Sequence, residues 1–363
     1  MDHNIKLKLN TMKRNKAVFT PAMSLETISK VRKFHQSFPE YAPTPLRSLK
    51  TLAAQLGVSS IYVKDESYRF GLNAFKVLGG SWAIGQYLAG QLGQDIAELP
   101  YNIMTSDKVR STLGRLTFAT TTDGNHGRGV AWTANRLRQN AVVYMPKGSQ
   151  PIRLENIRSL GAQACITDLN YDDSVRLTAQ EAAKNNWVVV QDTAWPGYEQ
   201  IPTWIMQGYG TMALEALEQL QGTEPTHIFI QAGVGSLAGA VQGFFANVCK
   251  TPPTVVVVEP TAADCLYRSA VAADGQPHNV GGDLATIMAG LACGEPSTIS
   301  WEILKNNTAG FAVCPDRIAA DGMRILGNPL SGDDRIISGE SGAVPMGLLF
   351  ALLTDPAYPE YKA

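Results

Sequence analysis

The sequence predicts an α/β fold with mostly parallel sheets. Short apolar strands alternate with helical segments along nearly the whole chain, and three glycine-rich turns lie where a strand passes into a helix. At 363 residues there is room for two lobes or one large domain, with ample core.

Taken in order, residues 24–38 read as a helix, broken by Pro43-Thr-Pro-Leu46 before a second helix over 49–56. A strand at 61–63 leads through a polar loop closed by Gly71 into an apolar helix, with Asn73 as the expected N-cap and Lys76 in the first turn. Residues 89–114 are polar and irregular, the pattern of a helix pair carrying an insertion. The β-rich run 116–122 ends in Asp123-Gly-Asn-His-Gly-Arg-Gly129, followed by a helix over 130–137. Strands at 141–144, 164–167 and 187–190 alternate with helices at 151–160 and 175–183. A long helix at 204–220 precedes the strand 227–230, the turn Gln231-Ala-Gly-Val-Gly-Ser236 and a helix at 237–248. The strand 255–258, a helix at 299–305, the strand 311–313 and helices at 317–325 and 342–353 complete the series.

Composition excludes several classes. Thirty-one basic and 32 acidic residues nearly cancel, so no charge run recommends nucleic acid. No apolar run approaches a membrane span, and the basic first 16 residues lack the apolar core of a secretion signal. Cys165, Cys249, Cys265, Cys293 and Cys314 show no metal-binding spacing; they predict no metal site and a reducing cytoplasm. Cys265 and Cys293 would bridge only if the fold brought them together, and free thiols are the expectation.

Three stretches carry chemistry. In Lys64-Asp-Glu-Ser-Tyr-Arg-Phe-Gly-Leu-Asn-Ala-Phe-Lys76 the lysine follows Ala74 and Phe75 and precedes Val77 and Leu78. Desolvation by such neighbours penalises an ammonium and leaves a nucleophilic amine, the requirement for a Schiff base with an aldehyde. A lysine snorkelling off an amphipathic helix is the plain alternative. Gly233-Val-Gly-Ser-Leu-Ala-Gly239 opens a helix after a strand, where free amides and the helix N-terminus attract a phosphate and Ser236 can add a hydroxyl. The same string fits a dinucleotide fingerprint, with Glu259 loosely at the ribose position. In Asp123-Gly-Asn-His-Gly127 the amides suit a carboxylate and Asn125 an aromatic hydroxyl. His126 is a base by residue type but equally a core histidine.

Together these stretches resemble the fold-type-II pyridoxal-phosphate enzymes, the serine/threonine dehydratase and tryptophan synthase β-subunit group. Within it the likeness narrows to the diaminopropionate ammonia-lyases. It is carried by Val63-Lys-Asp-Glu-Ser67, Arg69-Phe-Gly-Leu-Asn-Ala-Phe-Lys76 and the run from Phe118 to Trp132. Gln191-Asp-Thr-Ala-Trp195, Ile201-Pro-Thr-Trp-Ile-Met-Gln-Gly208, Ala289-Gly-Leu-Ala-Cys-Gly-Glu295 and Ile337-Ser-Gly-Glu-Ser-Gly-Ala343 extend it. The resemblance implies two lobes with pyridoxal 5'-phosphate in the cleft between them: a large one of residues 1–73 and 176–363, and a small one of 74–175. It implies that Lys76 carries the cofactor and that Asn125 partners its phenolic oxygen. The phosphate falls to Gly233, Val234, Gly235, Ser236 and Leu237. Asp123, Gly124, Asn125, His126 and Asp192 then meet the substrate. A homodimer, a small amino-acid substrate and α,β-elimination of D- and L-2,3-diaminopropionate are the further implications.

A carboxylate at position 123 would repel the substrate's own carboxylate by about 4 kcal/mol at 4 Å and an effective dielectric of 20. A substrate with a second ammonium on Cβ answers that repulsion. Lys76 is then the expected base on one face of Cα and Asp123 on the other, with Asp192 as supporting acid or ammonium binder. The family's pattern continues past the helix at 342–353 into another strand, whereas this sequence stops at Ala363; impaired activity and a bared sheet edge are the expectations drawn from that. The alternatives are a dehydratase or β-replacing enzyme, disfavoured by Asp123, and a non-catalytic cofactor-binding protein. A nicotinamide enzyme leaves Lys76 and the Asn-His loop unexplained.

Overall fold

The structure is a computed structural model that describes residues 4–122 and 124–358. Among the described residues ten strands form three sheets: β1 (Lys6–Leu9), β2 (Leu46–Ser48), β3 (Tyr62–Lys64), β4 (Thr117–Thr121), β5 (Asn140–Met145), β6 (Gln163–Ile166), β7 (Val188–Val189), β8 (His227–Gln231), β9 (Thr254–Pro260) and β10 (Gly310–Cys314). One sheet runs β6-β5-β4-β7 and is wholly parallel. The second runs β1-β10-β9-β8, parallel except that β1 pairs antiparallel with β10. The pair β2-β3 is antiparallel and separate. Among the described residues β8 is the terminal strand of its sheet, and all five of its residues line the central cleft. No helix among the described residues is long and apolar enough to cross a membrane.

The α/β reading holds, with corrections. The strand β1 and the helix Cys265–Ala272 were not expected, and two antiparallel pairings enter an otherwise parallel plan. The irregular stretch 89–114 is the end of one helix followed by short turns of helix at Tyr101–Met104 and Asp107–Leu113. The helix after the Asp123 loop starts at Asn125, five residues earlier than its apolar pattern suggests. The lysine helix is Val77–Leu92, and Lys76 occupies its N-cap, just before the first helical residue. Asn73 is not the cap: it takes a left-handed conformation at φ 56, which asparagine tolerates in tight turns. Gly93, left-handed at φ 64, ends the helix by donating to Ala89 and Gly90 carbonyls.

The start of this helix is clamped on both sides. Residues Val77 to Gly85 are all buried. A Cβ on Gly129, in the helix Asn125–Arg136, would lie 2.8 Å from Val77 Cα. A Cβ on Gly208, in the long helix Gln200–Gln219, would lie 2.2 Å from the Leu78 carbonyl oxygen. Backbone therefore meets backbone, and no side chain can move aside to relieve a substitution. Gly208→Ala should cost about 1–3 kcal/mol, the range for overpacking a tight interior. A denaturant midpoint within error of the parent chain would contradict this account of the clamp.

Candidate active site

Lys76, Asn125, His126, Asp192 and the turn Gly233 to Leu237 all line one cleft of about 1040 Å³. Lys76 enters it from the N-cap of its helix, and Asn125 from the first position of the next. Asn125 is exposed to the cleft, while His126 is 1% exposed. Asp123 lies outside the described residues.

The electrostatic centre is Asp192. Lys76 Nζ donates to its Oδ2 at 2.7 Å. A carboxylate at that distance stabilises an ammonium, so the lysine's surroundings are not only the apolar neighbours its local sequence supplies. His126 Nε2 lies 2.8 Å from the Val190 carbonyl, which can only accept; Nε2 therefore carries a proton and Nδ1 faces Asp192 Oδ2 at 3.9 Å. Burial alone would raise the pKa of Asp192. The charges of His126 and Lys76, with the Lys76 hydrogen bond, outweigh it and hold the carboxyl well below the usual range. An anion is thus kept ready in a buried place. His126 touches Asp192 and the backbone, the geometry of a supporting histidine.

The glycine turn fits a phosphate. Gly235 is left-handed at φ 99 and begins the helix Ser236–Val248 without any side chain capping it, so the first-turn amides are left for a ligand. The Cβ positions of Gly233 and Gly235 would press to within 3.2 Å of Cys293 Sγ and 3.3 Å of Ser300 Cβ. Ser236 is committed elsewhere: its hydroxyl donates to the Asp192 carbonyl at 2.6 Å, tying the turn to the carboxylate loop. Glu259, the residue that would serve a ribose, is fully buried and accepts from the Leu266 and Tyr267 amides. It is therefore turned into the core, against the nicotinamide alternative. Cys265 is an unbridged thiol 3.7 Å from Glu259 Oε1.

Beneath the lysine loop lies a buried ionic cluster. Arg69, 1% exposed, grips Glu215 with both terminal nitrogens at 2.7 and 2.9 Å and Glu66 through Nε and Nη2 at 2.8 Å each. Lys64 Nζ reaches Glu215 Oε2 at 2.8 Å and Tyr41 donates to Oε1 at 2.8 Å. Nearby, His35 Nε2 donates to the Leu78 carbonyl at 3.0 Å, so its Nδ1 accepts from Thr211 Oγ1 at 2.8 Å. Burial, reinforced by the Arg69 charge, lowers the His35 pKa to about 3.

Sequence reasoning missed Tyr171, Gln191 and Arg153. Tyr171 and Arg153 line the cleft, and Arg153 Cδ lies 3.3 Å from where Gly124 would carry a Cβ. Each belongs to an ordinary helix start or strand end. Only Gln191, in the quoted Gln191-Asp-Thr-Ala-Trp195 stretch, carried a local signal.

The cluster predicts the acid behaviour of the fold. Burial would raise the pKa of Glu215, but Arg69 and Lys64 bring it down to about 2 from 4.5. A depressed carboxyl contributes stability above its unfolded pKa, and that contribution is lost as pH falls from about 4.5 to 2. His35, buried neutral, contributes above 6.5 and loses it on the way to 3. Unfolding free energy should therefore begin to fall below pH 6.5. Glu215→Gln should cost about 3–5 kcal/mol at neutral pH by removing the carboxylate that Lys64 and Arg69 share, and should flatten the limb below pH 4.5. An unchanged acid limb in that variant, measured by denaturant titration, would refute the assignment.

Relatives bear on this geometry. A family model described as "Pyridoxal-phosphate dependent enzyme" matches residues 38–361. The diaminopropionate ammonia-lyase of Salmonella typhimurium is 53% identical over 368 residues, covering 99% of this chain and 91% of that protein. The crystal structure of the Escherichia coli diaminopropionate ammonia lyase in complex with D-serine superposes with a TM-score of 0.92 at 50% identity, covering 98% of this chain and 89% of that one. The same Escherichia coli enzyme in complex with an aminoacrylate-PLP azomethine reaction intermediate gives a TM-score of 0.91 at 50% identity, covering 99% and 89%. With a lysine, an anionic partner and an uncapped glycine turn around one cleft, and with relatives this similar along nearly its whole length, the chain belongs to the diaminopropionate ammonia-lyases, within the pyridoxal-phosphate dependent enzymes.

Proposed function

We propose that this chain eliminates ammonia from D- and L-2,3-diaminopropionate, giving pyruvate and a second ammonia after the released enamine tautomerises and hydrolyses. The single observation that carries the reading is Asp192, a buried carboxylate already holding one alkylammonium, Lys76 Nζ, at 2.7 Å. The β-ammonium of diaminopropionate is the same chemical group. Serine and threonine offer a hydroxyl there, which does not balance a buried charge.

The Lys76 nitrogen would carry the cofactor's aldehyde carbon, and the turn Gly233, Val234, Gly235, Ser236 and Leu237 would hold its phosphate, chiefly through backbone amides. When bound, pyridoxal phosphate supplies an electron sink for the charge left at Cα once its proton is removed. Lys76, released when the substrate amine takes its place, is the base on one face of Cα. Asp123 is the proposed base on the other face, which would allow both configurations. Asp192 orients the β-ammonium, which leaves as ammonia because it already carries its proton. A carboxyl held strongly acidic is a poor proton donor, so binding rather than protonation is the role for Asp192. Asn125, exposed to the cleft, is assigned to the cofactor's phenolic oxygen, and Gly124 and His126 to the substrate side. The lobes 74–175 and the remainder stay the proposed division, although β7, from the remainder, pairs with β4 of the smaller part. A homodimer in the cytoplasm is the proposed setting, and light scattering tests the assembly.

Borohydride reduction of the holoprotein followed by peptide mapping should place the modification on Lys76, and Lys76→Ala should lower turnover at least about 10³-fold. Asp192→Asn should raise KM for diaminopropionate about 10–100-fold, the value of a hydrogen bond to a charged group. Asp123→Asn should impair one isomer selectively. Equal activity on both isomers in that variant would remove Asp123 from its role.

A further inference from the structure

We propose that Gln191 and Tyr171 are positioning residues that fix the hydrogen-bond polarity around Asp192, so that one carboxylate oxygen is occupied and the other is presented to the substrate ammonium. The inference rests on the ammonium-binding role just assigned to Asp192.

The polarity follows from a group that can only donate. The Thr121 backbone N–H donates to Gln191 Oε1 at 2.9 Å, which identifies the oxygen end of this fully buried amide. Nε2 must then point the other way, where it donates to the Tyr171 hydroxyl at 2.8 Å and to the Thr121 carbonyl at 3.2 Å, and approaches Asp192 Oδ1 itself at 3.5 Å. With its oxygen accepting from Gln191, Tyr171 directs its hydrogen at Asp192 Oδ1, 3.4 Å away. Asp192 Oδ2 is left to the Lys76 ammonium. The backbone on either side is pinned as well. The Gln191 N–H donates to Tyr198 Oη at 2.9 Å, Tyr198 donates to the Val189 carbonyl at 2.9 Å, and Ser236 holds the Asp192 carbonyl. Tyr171 itself stands at the first position of the helix Tyr171–Asn185, whose start is fixed by Asn170 accepting from the Asp173 amide at 2.8 Å. Strand β4 thus dictates, through one amide and one hydroxyl, which oxygen of Asp192 faces the cleft.

The test uses the holoenzyme and a double-mutant cycle. Tyr171→Phe and Gln191→Met should each raise KM for diaminopropionate about tenfold. Alanine, which lacks the β-ammonium, should bind within about twofold of its parent affinity, read from the cofactor's visible band. Because the Gln191 amide is 2.8 Å from Tyr171 and only 3.5 Å from Asp192 Oδ1, it acts mainly through Tyr171, and the double variant should be about as impaired as the worse single one. Losses that multiply to about a hundredfold, or an equal loss of alanine affinity, overturn the proposal. Should Gln191→Met fail to fold, Gln191→Glu keeps the contact with Thr121 but offers no N–H to Tyr171; parental KM in that variant also overturns it. A second readout needs no turnover: in the cofactor-free protein the tyrosine C–O stretch removed by Tyr171→Phe should shift in Gln191→Glu, and an unmoved band refutes the polarity. Asp192→Asn separates the two levels. If it leaves KM unchanged, the ammonium-binding role itself fails. If it raises KM while the Tyr171 and Gln191 variants are silent, only the positioning inference fails.

Discussion

The contact on which the molecule depends is the approach of three helices at Lys76, Val77 and Leu78. Gly129 presses against the Val77 backbone on one side and Gly208 against the Leu78 carbonyl on the other. His35 also donates to that carbonyl, and the Arg69–Glu215 cluster holds the preceding loop to the long helix. A helix gripped by backbone cannot slide by fractions of an ångström. The lysine nitrogen therefore starts from a defined point, as a reacting group must. Two glycines in the quoted motifs, Gly129 in the run from Phe118 to Trp132 and Gly208 in the Met-Gln-Gly run, serve this approach.

Charge organises the cleft as firmly as packing. Burying a lone carboxylate is costly, and a protein usually answers by neutralising it. Here Asp192 stays anionic because Lys76 and His126 face it. In the proposed chemistry Lys76 Nζ is withdrawn from Asp192, and a substrate bringing its own ammonium would restore the balance. The proposed preference for a diamino acid over a hydroxy amino acid would follow from that need for a cation. Ser236 links the same loop to the glycine turn, so the turn at 233–237 and the Asp192 carboxylate share one scaffold.

Much was legible locally. The alternation of strands and helices and the strand-turn-helix placement of the glycine loops follow from periodicity and turn chemistry over a few residues, while the role expected of Lys76 follows from the motif resemblance. Errors arose where local preference was overruled. Asn73 looks like a cap but accepts a left-handed turn, and the helix waits for Val77. The four residues Lys6–Leu9 are too short and too charged to announce a strand; they become one because β10 offers an edge. Tyr171 had no signal at all, since its role needs a glutamine 20 positions away.

The sequence by itself determined the fold class, through short-ranged strand and helix periodicity, and the family, through contiguous motifs; it also singled out Lys76 and the glycine turn at 233–237 as candidates. Only the tertiary structure decided that Lys76 pairs with Asp192, 116 positions along the chain, and that Ser236 is committed to a carbonyl. It alone turned Glu259 inward. Those outcomes depend on Coulomb and hydrogen-bond terms between groups that touch only after the sheets have formed, and no window along the chain contains both partners.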